Sequence, residues 1–165
     1  MKPLLKDLTL IFKLFQGQVQ SFNNKHRLWT GVSGFSVIQN NTPLIDRIGK
    51  INKRNKSKSI MTFDFSTLYT KIPHDLLIQA YIHVGNKVFR QKIGIPIGSD
   101  PAPFFANLFL YVYESKFIFN LLKTDPERAS RLRHIFRFID DLIAINDDGE
   151  LEKAFREIYP SEMEL

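Results

Sequence analysis

An α+β fold, with helices packed on one face of an antiparallel sheet, follows from three features of this chain. Apolar residues alternate through Ser59–Phe65, which reads as a strand, and two more apolar strands flank Asp140-Asp141 as a hairpin. Phe104–Leu122 is a long, mostly apolar run that reads as a helix buried on several sides. The elements follow in the order β-α-β-hairpin-α-β-hairpin-α, which suits helices laid over such a sheet.

The chain's 165 residues, 44% of them hydrophobic, suffice for one domain with a packed core and speak against global disorder. Its 15 phenylalanines read as core packing rather than base-stacking platforms. A net charge of +6, with a pI of about 9.5, favours polyanionic partners. With no cysteine, disulfides and thiolate zinc sites are excluded. His26, His74, His83 and His134 lack ligand spacing and read as ordinary surface or core residues. No stretch is long and apolar enough to span a membrane, and the N-terminus has no secretory leader, so an intracellular protein is expected.

Leu4, Leu5, Leu8, Ile11, Phe12, Phe15 and Val19 recur at helical spacing and predict a first amphipathic helix ending near Gln20. Residues 21–41 carry turn formers and are expected to be loop with short extended pieces. Thr42-Pro43 reads as an N-cap and first-turn proline, opening a helix whose apolar face is Leu44, Ile45, Ile48 and Ile51. That helix runs into Lys50, Lys53, Arg54, Lys56 and Lys58. Two readings of this cluster stand level: a solvated helix end whose cations suit the dipole, or a phosphate contact or nuclear address.

In Ser59–Phe65, Met61, Phe63 and Phe65 share the apolar face, and Thr62 and Asp64 lie on the other. Pro73 is expected to open a helix through Leu76, Leu77 and Tyr81. Gly85-Asn86 reads as a tight turn between Tyr81–Val84 and Lys87–Gln91. Residues 123–133 form a charged connection, with Pro126 at a turn or in the first turn of a short helix. His134–Ile139 and Leu142–Asn146 are the hairpin strands, with Asp140-Asp141 at the tip. Asp147 and Glu150 fit a capping box for a last helix reaching Tyr159. The chain thus divides into a helical and loop region over 1–58 and a sheet-bearing region over 59–165.

Both acidic sites, Asp64 in Phe63-Asp64-Phe65-Ser66-Thr67-Leu68-Tyr69 and the pair in Arg137-Phe138-Ile139-Asp140-Asp141-Leu142, sit where strand patterns end or turn. The fold can therefore gather three carboxylates at one sheet edge. Clustered carboxylates repel one another and raise their own pKa values unless a cation neutralises them. Two Mg²⁺ ions held by shared carboxylates activate a 3′-hydroxyl and stabilise a departing pyrophosphate, which is the chemistry of a polymerase palm. An Asp-Asp between apolar runs is by itself a solvated turn. A third element, Gly94-Ile95-Pro96-Ile97-Gly98-Ser99-Asp100-Pro101-Ala102-Pro103-Phe104-Phe105-Ala106-Asn107, lies between the two acidic sites and makes the order specific.

With these three elements the chain resembles reverse transcriptases: Thr62–Pro73, Phe89–Asn107 and Phe136–Ile145 are similar to their motifs A, B and C. The wording is nearest to Penelope-like retroelements, and the likeness runs from about Phe22 to the C-terminus. The resemblance implies an RNA-directed DNA polymerase palm that adds deoxynucleotides to a DNA primer on an RNA template. It implies Asp64, Asp140 and Asp141 as catalytic metal ligands, Asp141 the weaker, with the backbone carbonyl of Phe65 as a further ligand. The cofactor would be two Mg²⁺ ions, with Mn²⁺ as a substitute. Tyr69 falls where the family places an aromatic gate against a 2′-hydroxyl; a packed core tyrosine is the other reading. Gly94, Pro96, Gly98 and Ser99 would lie along nucleotide and template, Ile97 stands where many reverse transcriptases carry glutamine, and Asn107 would brace the helix start.

The chain also departs from the family pattern. Basic fingers motifs that grip the triphosphate are not recognisable before Thr62, and the segment from Asp64 to Gly94 is shorter than usual. The sequence stops at Pro160–Leu165, where a last palm strand and a lysine motif are expected. The expectation is a palm piece of a mobile-element enzyme, truncated before the thumb. Its alternative is a non-catalytic relic that keeps the fold and at most binds nucleic acid or a partner.

Overall fold

The alternation seen in the sequence becomes a four-stranded sheet in the computed structural model, which describes residues 36–37, 42–53, 59–73, 81–84, 86–90, 92–95 and 102–165, with positions 14, 17, 18, 21, 24 and 25. The elements are β1 (Ser36–Val37), α1 (Thr42–Asn52), β2 (Ile60–Asp64), α2 (Leu68–Lys71), β3 (Tyr81–Val84) and β4 (Lys87–Arg90). They continue with α3 (Ala102–Thr124), α4 (Pro126–Arg131), a 3-10 turn at Leu132–His134, β5 (Ile135–Phe138), β6 (Asp141–Ile145) and α5 (Glu150–Ile158). The sheet order is β1-β5-β6-β2, and β3-β4 form a separate hairpin. β2 and β5 run antiparallel to β6, while the two-residue edge strand β1 runs parallel to β5.

Register decides which residues share a face, because directly opposed residues of an antiparallel pair project to the same side. Phe63, Leu142 and Arg137 form one row across β2, β6 and β5, and Met61, Ala144 and Ile135 form another. This side belongs to the main core, where Leu142, Ala144 and Ile135 cluster with Phe109 and Leu110 of α3 and Leu151 and Phe155 of α5. On the opposite side lie Asp64, Asp141 and Phe138, then Thr62, Ile143 and Phe136. Helix α1 covers only part of it, burying Leu44 and Ile51 against Phe136 and Ile145. The end of that face bearing Asp64, Asp141 and Phe138 stays exposed.

Four expectations need correction. Ile45 is 67% exposed, because Leu44, Ile48 and Ile51 follow the i, i+4, i+7 line and Ile45 falls off it. Tyr81 opens strand β3 instead of ending the helix expected from Pro73, the rest of which falls on residues 74–80, outside the described residues; Pro73 itself bridges to Ile93. Asp147 caps the last helix, its carboxylate accepting from Leu151 N at 2.9 Å, but Glu150 does not reciprocate and takes Arg128 Nε at 2.6 Å instead. Positions 21, 24 and 25 are helical, beyond the expected end at Gln20.

Other expectations stand. Pro126 sits in the first turn of α4, capped by Asp125, whose side chain accepts from Arg128 N at 2.9 Å. The pairing Val84↔Lys87 is that of a two-residue turn at 85–86, although Gly85 itself lies outside the described residues. Of the first predicted helix, only positions 14, 17 and 18 are described, and all are helical. Residues 74–80 lie outside the description. No described helix is long and apolar enough to cross a membrane.

Candidate active site at the carboxylate edge

β2 ends at Asp64 and β6 begins at Asp141, and the two are direct cross-strand partners. Such partners hold their Cβ atoms about 4.5–5.5 Å apart, so the two carboxylates start from one side of one edge. Asp140 sits in the two-residue turn between Phe138 and Asp141. Its neighbour Ile139 has φ 55, a left-handed backbone that a β-branched residue adopts only at a cost of about 1–3 kcal/mol. Two hydrogen bonds hold the turn: Arg137 Nη1 donates to Ile139 O at 3.1 Å, and Phe65 N donates to Asp140 O at 3.1 Å.

The electrostatics agree with this convergence. Burial first, then the charges of Asp140 and Asp64, push the Asp141 carboxyl above its usual range. Burial, then Asp140, likewise raises the Tyr69 phenol. Among the described residues no group of three or more His, Cys, Asp or Glu side chains is arranged to hold a metal ion. The donor chemistry nevertheless fits Mg²⁺, a hard cation that binds through one or two carboxylates together with substrate phosphates rather than in an all-protein cage.

The remaining sequence-derived residues fall into three groups. Phe65 lies just beyond β2 with its ring buried, 5.4 Å from Phe155 and 5.0 Å from Tyr159 between centroids, which anchors the chain beside Asp64. Tyr69 is partly buried against the main core. Gly94, at φ 76, is pressed against the carbonyl carrying Tyr69: an added Cβ would lie 2.5 Å from Tyr69 O. Gly94 N donates to Ile72 O at 2.9 Å and Ile95 N to Tyr69 O at 2.7 Å, so this glycine's close approach is to the chain's own backbone. Lys50 pairs with Asp46 at 2.8 Å on an exposed helix turn, and Lys53 is exposed at the end of α1. Pro96, Gly98, Ser99, Arg54, Lys56 and Lys58 lie outside the described residues.

Asn107 reaches out of its own helix to the carboxylate-edge hairpin. Its Oδ1 accepts from Arg137 Nη1 at 2.5 Å, joining α3 to the hairpin that carries Asp140. Arg137 is fully buried and also donates through Nε to Glu114 Oε1 at 2.6 Å. Sequence reading missed this pair. The signal was present: Arg137 is the charged residue of strand Ile135–Phe138 and Glu114 follows the apolar run Leu108–Tyr113, and charges in buried elements are tolerated only when paired.

Together the topology and the carboxylate edge define an α+β domain of the palm type. The family model for "Reverse transcriptase (RNA-dependent DNA polymerase)" matches residues 2–160, and the chain belongs to that family. No curated protein and no solved structure matches the chain.

Proposed function

We propose that this domain is the catalytic palm of an RNA-directed DNA polymerase of the Penelope-like retroelement type, adding deoxynucleotides to a primer 3′ end. The register of Asp64 on Asp141, with Asp140 in the adjoining turn, is the observation that carries this reading. Asp64, Asp140 and Asp141 hold the divalent ions, Mg²⁺ by their donor chemistry, and the Phe65 carbonyl offers a further hard oxygen. When bound, the ions supply activation of the 3′-hydroxyl and neutralisation of the leaving pyrophosphate.

The protein's own part is positioning, since phosphoryl transfer asks little covalent chemistry of it. Strand pairing sets Asp64 and Asp141, while the bonds from Phe65 N and Arg137 hold the turn with Asp140. Tyr69 stands against the 2′ position of the incoming sugar. Gly94, Pro96, Gly98 and Ser99 lie along nucleotide and template, and Lys50, Lys53, Arg54, Lys56 and Lys58 approach nucleic-acid phosphates. A primed RNA template incubated with deoxynucleotides, Mg²⁺ and the purified chain tests the reading. Mg²⁺-dependent extension that Asp140→Ala with Asp141→Ala abolishes would support it. Wild-type extension no greater than that control overturns the polymerase.

One observation favours a second reading. The described carboxylates do not form a ready three-ligand group, as expected of a non-catalytic relic that keeps the fold and binds nucleic acid. In that case the assay returns no extension while binding persists.

A further inference from the structure

Past α5 the chain reads Tyr159-Pro160-Ser161-Glu162-Met163-Glu164, in which Tyr159 and Met163 are the large apolar side chains. Both are buried in the main core. Met163 N donates to Pro160 O at 3.0 Å, which turns the chain back between these two anchors. The Tyr159 ring lies edge-on to the ring of Phe65, centroids 5.0 Å apart, and Phe65 directly follows Asp64. Ser66 N donates to Glu164 O at 3.2 Å, and Thr67 Oγ1 to Glu162 O at 3.4 Å. The three residues after Asp64 are thus all held by Tyr159–Glu164, Phe65 through its ring and the other two through hydrogen bonds.

The Tyr159 hydroxyl reaches the other acidic site. It donates to Glu114 Oε1 at 2.7 Å, the same oxygen that accepts from Arg137 Nε at 2.6 Å. Arg137 Nη1 donates to Ile139 O, and Phe65 N to Asp140 O, both at 3.1 Å. These two carbonyls belong to the peptide units before and after the Asp140 α-carbon. Peptide units are planar, so tethering both leaves the two backbone torsions of Asp140, and with them the direction of its Cβ, little room to vary. The turn needs that support, because a left-handed Ile139 (φ 55) persists only where its surroundings impose it. Tyr159 therefore acts on both carboxylate carriers, on Asp64 through a ring contact and on Asp140 through two buried charges.

We propose that Tyr159 and the strap it opens, Tyr159–Glu164, are positioning elements of a divalent-ion site: the ring and strap set Asp64, and the hydroxyl sets Asp140 through Glu114 and Arg137. The inference rests on the reading of Asp64, Asp140 and Asp141 as ion ligands. It adds that their affinity for the ion is fixed from behind, by groups that never touch it. Losing such an outer tether typically costs about 10–100-fold in metal affinity or activity.

Titration of the whole chain with Mn²⁺ and no nucleic acid, the free ion followed by its electron paramagnetic resonance signal, tests the proposal. Asp140→Asn with Asp141→Asn marks the binding that owes nothing to the carboxylate edge. Tyr159→Phe keeps the ring against Phe65 and removes only the hydroxyl, and should weaken edge-specific Mn²⁺ binding about tenfold. Met163→Ala loosens the strap without touching the hydroxyl and should weaken it as well. Ile51→Val, a core truncation on α1 away from this network, should leave the affinity unchanged. Wild-type affinity in either folded strap variant overturns the positioning role and leaves the ion site standing. Equal weakening by Ile51→Val also overturns it, because general loss of stability would then explain the effect. Wild-type uptake no greater than that of the Asp140→Asn, Asp141→Asn variant overturns the ion site itself, and the proposal with it.

Discussion

Arg137 and Glu114 form a bidentate pair in the middle of the core, Nε to Oε1 at 2.6 Å and Nη2 to Oε2 at 3.1 Å, with side chains 0% and 2% exposed. Glu114 also accepts from the Tyr159 hydroxyl at 2.7 Å, and burial followed by that carboxylate drives the phenol well above its ordinary pKa. Arg137 in turn reaches Asn107 and the carbonyl of Ile139. The Arg137–Glu114 pair thus ties α3, the segment after α5 and the turn holding Asp140. Every donor on the buried arginine has work to do, so the hairpin tip has little freedom to move relative to α3.

Removing one partner strands the other. Glu114→Leu is expected to cost about 3–5 kcal/mol, because it leaves Arg137 charged and uncompensated in the core. Arg137→Met added to it should recover part of that loss, since the pair replaced together leaves no orphan charge. Urea unfolding of both variants measures this, and a double variant less stable than Glu114→Leu alone contradicts it.

Among the described residues, the two glycines at positive φ make opposite tests of backbone space. Gly149, at φ 78, has nothing within 4 Å of an added Cβ, so Gly149→Ala should cost only the left-handed backbone penalty of about 1–2 kcal/mol. Gly94 has the same backbone but would place Cβ 2.5 Å from Tyr69 O and 2.9 Å from Thr70 O, backbone atoms that cannot turn aside. Gly94→Ala should therefore be clearly the more destabilising of the two in denaturant unfolding. Equal losses would mean that the contact between the Gly94 segment and α2 yields readily.

How much of this was legible in the sequence depended on how local the cause was. Strand β2 and helix α3 were readable because period-2 and unbroken apolar patterns report burial directly. The side of the sheet occupied by Asp64 followed from the same alternation. The misreadings at Glu150 and His134 each involve a partner distant in sequence. Glu150 fitted a capping box by spacing, but Arg128 lies across the packed helices and competes for it. His134 looked ordinary because the guanidinium opposing its Nδ1 comes from Arg47, on a different element.

The raised Asp141 carboxyl has a thermal consequence. Its folded pKa lies above the unfolded value, so ionised Asp141 opposes folding, and the protein loses stability as pH rises through that titration. Near neutral pH, Asp141→Asn should raise the Tm of the metal-free chain. Exposed charge interactions carry at most about 1 kcal/mol, which for this size class is about 2–4 °C, so the rise should not exceed that. Mg²⁺ should raise the wild-type Tm and leave that of an Asp140→Asn, Asp141→Asn double variant unchanged. A metal-insensitive wild type would count against the carboxylate edge as an ion site.

His134 provides a pH dependence of opposite origin. Burial, then Arg47 and Arg133, depress its pKa from 6.5 to about 4, and Lys50, Glu127 and Arg131 line the open groove beside the ring. Below about pH 6.5 the unfolded chain takes up a proton at this position that the folded chain refuses until about pH 4. Linkage then fixes the sign: stability from a neutral His134 is complete above about pH 6.5, falls as the pH drops toward 4, and levels off below. Because the ring is only partly buried, solvent screening trims the effect below its nominal size. The chain carries three further histidines, so the comparison must be with His134→Gln, which removes this group alone. Urea unfolding between about pH 7 and pH 5 should show a smaller stability loss for His134→Gln than for wild type. Identical slopes for wild type and His134→Gln would show that the two guanidiniums do not hold the ring neutral.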